Sequence, residues 1–194
     1  MSNIIFPLQK YNDKEEIRKI ASENNLNVAQ KKDSQEICFI PDNNYQNFLK
    51  EYGKTKQSVG NIVLKNGKIL GRHKGLINYT IGQRKGLGIA YSEPLYVIEL
   101  NKQKNEVVVG TEEQLYTNQL YAKELNWQAI EPKNEPINCM AKIRYRAKEA
   151  KVTIYPEKDG AKVIFDTKQR AITKGQSIVF YDNEGIVLGG GKIS

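Results

Sequence analysis

The chain has 194 residues, 39% hydrophobic and 27% charged, with a single His and two Cys. These proportions suit one or two small globular domains, with no apolar run long enough to cross a membrane as a helix and no opening signal sequence. Two distant cysteines and one histidine exclude a disulfide framework and an all-nitrogen-and-sulfur tetrahedral zinc site, so the chain is expected to be cytoplasmic and to bind no metal.

The net charge of +8 favours a polyanionic partner. Its distribution is uneven. Residues 1–50 balance seven basic against seven acidic side chains, whereas residues 52–92 carry Lys54, Lys56, Lys65, Lys68, Arg72, Lys74, Arg84 and Lys85 without one Asp or Glu. That window is a candidate phosphate-facing surface.

In chain order, the first predicted element is a helix from about Asp13 to Asn24, capped by Asn12 with Glu15 three residues on, and with Ile17, Ile20 and Ala21 as its apolar stripe. The run Lys31-Lys32-Asp33-Ser34-Gln35-Glu36-Ile37-Cys38-Phe39-Ile40 follows. Its two lysines can favour a reactive thiolate at Cys38, while Ile37 to Ile40 equally reads as a buried strand with cysteine as a small hydrophobe. Pro41-Asp42 opens a second short helix, capped by Asp42, whose Tyr45, Phe48, Leu49 and Tyr52 are expected in the core.

After Gly53 the period changes to two. Residues 62–65, Asn66-Gly67 and residues 68–70 predict a type I′ hairpin. Further strands are expected near Asn78–Ile81, Leu95–Leu100 and Glu106–Val109, with a polar turn at 101–105. The loop Gly82-Gln83-Arg84-Lys85-Gly86-Leu87-Gly88 matches neither the phosphate-binding loop of nucleotidases nor the dinucleotide fingerprint. It is either a tight turn packed on its own domain or a place where Arg84 and Lys85 meet phosphate. His73 and Trp127 are read as structural.

A second β unit is expected from about Leu120, with strands near Glu124–Ile130, Ile137–Ala147, Lys151–Tyr155, Ala161–Phe165, Ser177–Tyr181 and Gly185–Leu188. Six short strands suggest a small barrel. Within it, Lys142, Arg144, Arg146 and Lys148 alternate with Ile143, Tyr145 and Ala147, which in a strand puts four cations on one face. That face is either a solvated surface or a phosphate track. Cys139, beside Met140, reads as a buried hydrophobe. The fold class is therefore mainly β with a short α-helical N-terminal segment: 1–52 helical and carrying the Cys38 loop, 53–115 a small central β domain, and 119–194 a C-terminal β-barrel.

Several strings resemble the bacterial tRNA-specific 2-thiouridylases, the MnmA/TrmU family. They are the Cys38 run with Phe6-Pro7-Leu8 and residues 16–21 ahead of it, Gly75-Leu76 followed by residues 79–88, Arg144-Tyr145-Arg146, Gly175-Gln176, and Leu188-Gly189-Gly190-Gly191. Gln35-Glu36 stands where other members carry Thr-Gly. The resemblance covers essentially the whole chain and implies an ATP-dependent sulfur transfer to C2 of the wobble uridine of tRNA. It assigns Cys38 as carrier of a persulfide delivered by a sulfur-relay donor protein, with the sulfur reaching C2 by direct attack or after release as sulfide. It further implies that Arg144, Tyr145 and Gln176 touch the tRNA, joined on charge grounds by Lys142, Arg146, Arg84 and Lys85.

Family members also carry an ATP-pyrophosphatase domain, with a Ser-Gly-Gly-x-Asp-Ser loop and a first catalytic cysteine, and neither motif occurs in this sequence. The chain is therefore expected to work with that domain as a partner on the anticodon stem-loop and to be inactive alone, with no cofactor or membrane site of its own. The alternative is a non-catalytic RNA-binding or assembly module.

Overall fold

The computed structural model describes residues 5–11, 13–31, 40, 48, 52, 58–131 and 135–194. Two compact units divide the chain, Met1–Gly53 and Lys54–Ser194.

In the first unit, helix α1 spans Lys14–Glu23. Its cap is Asp13 rather than Asn12: the Asp13 carboxylate accepts the Glu16 amide at 2.9 Å, which satisfies one of the donors that a helix leaves unpaired at its start. Glu15 and Glu16 in the first turn suit the positive end of the helix dipole. No α1 residue is buried. Phe48 and Tyr52 are helical and stack at 4.8 Å, but Tyr52 is 67% exposed, so it is not the core residue expected. The stack joins neighbours one helical turn apart, which gives Tyr52 an apolar contact without burial. Tyr45, Leu49 and the predicted Asp42 cap lie outside the described residues.

The second unit opens with a four-stranded sheet of β1 (Gly60–Leu64), β2 (Ile69–His73), β3 (Tyr96–Asn101) and β4 (Glu106–Gly110), in the order β2-β1-β4-β3. β1 runs antiparallel to β2 and parallel to β4. Ile62, Val97, Val107 and Val109 are fully buried beneath Leu87 and Leu95. Each such side chain contributes about 1.5–3 kcal/mol by leaving water.

The β1–β2 loop differs from the predicted type I′ turn. Within it only Gly67 has positive φ, at 87°, and its amide donates to Leu64 O while the Leu64 amide donates to Lys68 O. This is the three-residue loop in which a left-handed glycine closes a bulge. Asn66 keeps ordinary φ and accepts the Lys68 amide at 3.1 Å through its side chain.

Residues 78–81, expected as a strand, are not one. A 3-10 turn occupies Leu76–Asn78, tightened by Asn78 Nδ2 donating to Gly75 O, and a second turn closes from Thr80 to Gln83. Gly82 N donates to Val97 O and Val97 N to Gln83 O, so this turn covers part of the β3 edge. The Gln83 side chain then accepts the Thr80 amide and donates to Lys85 O.

His73 is the buried polar residue among the described residues, fully enclosed at the end of β2. Nδ1 accepts the Gly75 amide at 3.0 Å and Nε2 lies 2.9 Å from Asn105 O, an arrangement in which Nε2 carries the donated proton. The structural reading of His73 holds.

The remaining strands are β5 (Tyr116–Trp127), β6 (Ile137–Lys142), β7 (Ala150–Glu157), β8 (Gly160–Arg170), β9 (Ser177–Tyr181) and β10 (Val187–Ile193). They close into a barrel in the order β10-β5-β8-β7-β6-β9, which leaves no free sheet edge. Its interior alternates along every strand, with Leu120, Ala122, Val152, Ile154, Val163, Phe165, Ile178 and Phe180 among the buried set. Trp127 stacks on Phe180 at 5.6 Å, a packing role as expected. β5 starts at Tyr116, well before the predicted Glu124, and bends at Glu124, whose φ is 52°.

Closure crowds β10. A Cβ on Gly189, Gly190 or Gly191 would stand 2.6–2.7 Å from carbonyl oxygens of β5 or β9, so this glycine run lets three backbones approach. Sheet and barrel meet where Tyr96, Leu115 and Ala171 pack with Ile81 and Ile98. Arg170 reinforces that junction by lying over the Tyr96 ring and pairing with Glu112 at 3.4 Å.

Candidate nucleic-acid interface

The ladder of four cations does not form a strand face. β6 ends at Lys142, and residues 144–147 form a turn closed by the Ala147 amide on Arg144 O at 3.0 Å. Ile143 is buried, but Tyr145, which alternation would place beside it, is 96% exposed. The strand end, and not an ideal strand, carries the motif.

Arg144 explains the turn. Its guanidinium donates to the Ala171 carbonyl and, at 3.3 Å, to Gln176 Oε1. Ala171 sits at φ 53°, and the Thr173 hydroxyl donates to its carbonyl as well. Arg144 thus braces the β6–β7 turn against the β8–β9 loop, and its planar donor fork suits two acceptors at once.

The loops so braced enclose a groove of about 740 Å³, lined by Lys142, Arg144, Tyr145, Arg146, Gln176 and Tyr181 among others. Five of the predicted RNA-contacting residues therefore come together. Within the groove they are not equivalent. Lys142 pairs with Glu149 at 3.0 Å and lies 5.4 Å from the Tyr181 ring centroid, and its bond to Glu149 holds its pKa above the ordinary lysine value. Arg146 and Lys148 are exposed and enter no ion pair among the described residues.

Arg84 and Lys85 are exposed but lie outside this groove. Arg84 lines a smaller hollow of about 240 Å³ with Gly86, Leu87 and Glu93. Sequence reasoning also missed groove residues: Ser177, Val179 and Tyr181, which line it from β9, and the Ala171 carbonyl that anchors Arg144. Gly175-Gln176 was the only local signal for that side.

Cys38 lies outside the described residues. Cys139 is free and buried inside the barrel, where desolvation pushes its thiol from 9.0 up to about 11. It is therefore a protonated core side chain, not a nucleophile. Among the described residues no three His, Cys, Asp or Glu side chains converge as a metal site. No helix there is long and apolar enough to cross a membrane.

Successive stretches of the chain match three domain models: a tRNA methyl transferase HUP domain over residues 1–42, a tRNA methyl transferase PRC-barrel domain over 46–111 and an aminomethyltransferase β-barrel domain over 117–193. Together they describe the domain series of a tRNA-modifying enzyme. The whole chain is 52% identical to a tRNA-specific 2-thiouridylase MnmA 2 of Clostridium botulinum (strain Langeland), covering 54% of that protein. It is also 52% identical to an MnmA 1 of Clostridium tetani, covering 53%, and 47% identical to an MnmA of Halothermothrix orenii, covering 54%. The chain belongs to the tRNA-specific 2-thiouridylase family, MnmA/TrmU, and spans about half the length of the relatives it matches.

Proposed function

We propose that this chain is the sulfur-carrying and tRNA-holding part of a cytoplasmic tRNA 2-thiouridylase, acting at C2 of the wobble uridine. The observation that carries the tRNA assignment is the convergence of Lys142, Arg144, Tyr145, Arg146 and Gln176 on one groove. Cations and amides there suit phosphate and sugar, which position an RNA without reading it. Tyr145, with its ring in solvent, suits stacking on an unpaired base of the anticodon loop.

In this reading Cys38 receives sulfur from a relay protein as a persulfide. Its terminal sulfur becomes the C2 substituent, by direct attack or through free sulfide. ATP, handled by the part of the relatives that this chain does not span, converts the C2 oxygen into a leaving group as AMP. Cys38 itself ends in a disulfide with the cysteine of that other part. Dividing the displacement into activation and covalent delivery is the ordinary use of a nucleophilic side chain.

The test supplements the chain with the N-terminal half of a relative, a relay donor, ATP and unmodified tRNA, and measures 2-thiouridine by mass spectrometry. Cys38→Ser is expected to abolish thiolation and leave tRNA binding intact. Undiminished thiolation would remove Cys38 as the carrier and leave the RNA-binding module as the better description.

A further inference from the structure

A second hollow, of about 530 Å³, lies on the outside of the barrel over β10. Its floor is the glycine run, its wall carries Asn126 of β5 and Gln128 just beyond that strand's end, and Lys192 stands 3.9 Å from Glu124 on the rim. Gly175, Ser177 and Val179 line both this hollow and the basic groove. β9 is therefore a shared floor and not a wall between them: Val179 pairs with Lys142 of β6 on one side and with Gly190 of β10 on the other.

We infer that the two hollows form one continuous track, and that the RNA strand held by the basic groove continues over β9 into the glycine-floored trough. This rests on the tRNA reading of the groove and extends it to residues that reading does not use. The trough's chemistry selects the occupant. Its carboxylate, Glu124, is opposed by Lys192, and its other polar side chains are neutral amides and a hydroxyl, suited to ribose hydroxyls and phosphate oxygens. The glycines leave peptide planes bare for close approach. A protein partner fits poorly, because the trough offers no aromatic or arginine anchor and the closed barrel has no edge for an added strand.

Length dependence separates the track from the groove. With single-stranded RNAs from about 4 to about 16 nucleotides, the span of strand-binding barrels, affinity for the intact chain should rise with length beyond what the groove alone accommodates. Asn126→Asp places a carboxylate against the strand at a residue that lines the trough and not the basic groove. It should weaken the longest RNA by about tenfold and leave the shortest unchanged. Gln128→Glu gives a second, separately placed charge, and the Gly190 amide resonance should shift on adding long but not short RNA.

A length gain that survives both substitutions, or an unmoved Gly190 resonance, overturns the track while the groove stands. Arg146→Ala should weaken RNAs of every length. If no RNA binds at any length, the tRNA reading itself fails.

Discussion

At Arg144 one side chain does two things that sequence alone runs together. The alternation from Lys142 to Lys148 is legible as a row of cations, yet only the folded loop shows that this guanidinium serves the protein's own Ala171 carbonyl and Gln176. Arg144→Lys keeps the charge but cannot span both acceptors. It is expected to lower tRNA affinity nearly as much as Arg144→Ala, whereas Tyr145→Ala should weaken binding with an unchanged melting temperature, because that ring packs against nothing. Equal affinity for Arg144→Lys and the parent chain in a filter-binding titration would count against the brace. Cys139 makes a separate prediction through pH. Its folded pKa is raised, so the folded state holds the proton longer than the unfolded state, and this contribution is complete below 9.0 and fades as pH climbs toward about 11. Replacing it by Ala should flatten that part of the stability profile measured by urea unfolding at successive pH values.

Among the elements, the short apolar runs bounded by turn residues were legible. Ser177–Tyr181 is placed as expected, with Ile178 and Phe180 buried at a period of two, and residues 95–110 form the expected antiparallel pair because two apolar runs, the second buried continuously from Val107 to Val109, flank a polar turn. Three elements were not legible, each for a physical reason. Residues 78–81 carry β-prone Tyr, Thr and Ile, but Gly75 and the Asn78 side chain tighten the chain into a 3-10 turn. β6 stops early because Arg144 is drawn to a carbonyl distant in sequence, and no Gly, Pro or Asn marks that turn. The Asn66-Gly67 signal found the hairpin but not its loop, since one left-handed glycine suffices when the loop has three residues. His73 belongs to this scale as well, since it ties the end of β2 to Gly75 and to the turn before β4, where the Asn105 side chain also donates to Ser58 and Val59 carbonyls. His73→Ala leaves Gly75 N and Asn105 O without their partner and should cost about 1–3 kcal/mol. A denaturant midpoint unchanged by the substitution would show that water replaces both bonds.

Over the whole molecule, charge was the sequence property most easily counted and least easily assigned. The excess of +8 signals a polyanion, and the groove was half legible: its β6–β7 side through the Arg-Tyr-Arg string, its β9 side only through Gln176. Which cations remain available for phosphate depends on partners that only the fold reveals. Lys142 is held by Glu149, whereas Arg146 is not paired among the described residues. Each cation that displaces a counterion from RNA adds about 0.7 to the magnitude of the slope of log affinity against log salt for a single strand. Arg146→Ala should therefore reduce the slope by about that amount. Lys142→Ala removes a lysine already neutralised, and frees Glu149 to repel phosphate. It should lower affinity by a smaller factor while leaving the slope almost unaltered. The two variants, titrated with the same tRNA across a salt series, separate a cation that meets phosphate from one that holds a loop. Identical slopes for both would mean that the Lys142–Glu149 pair opens when RNA arrives, and that the groove presents both cations to the strand.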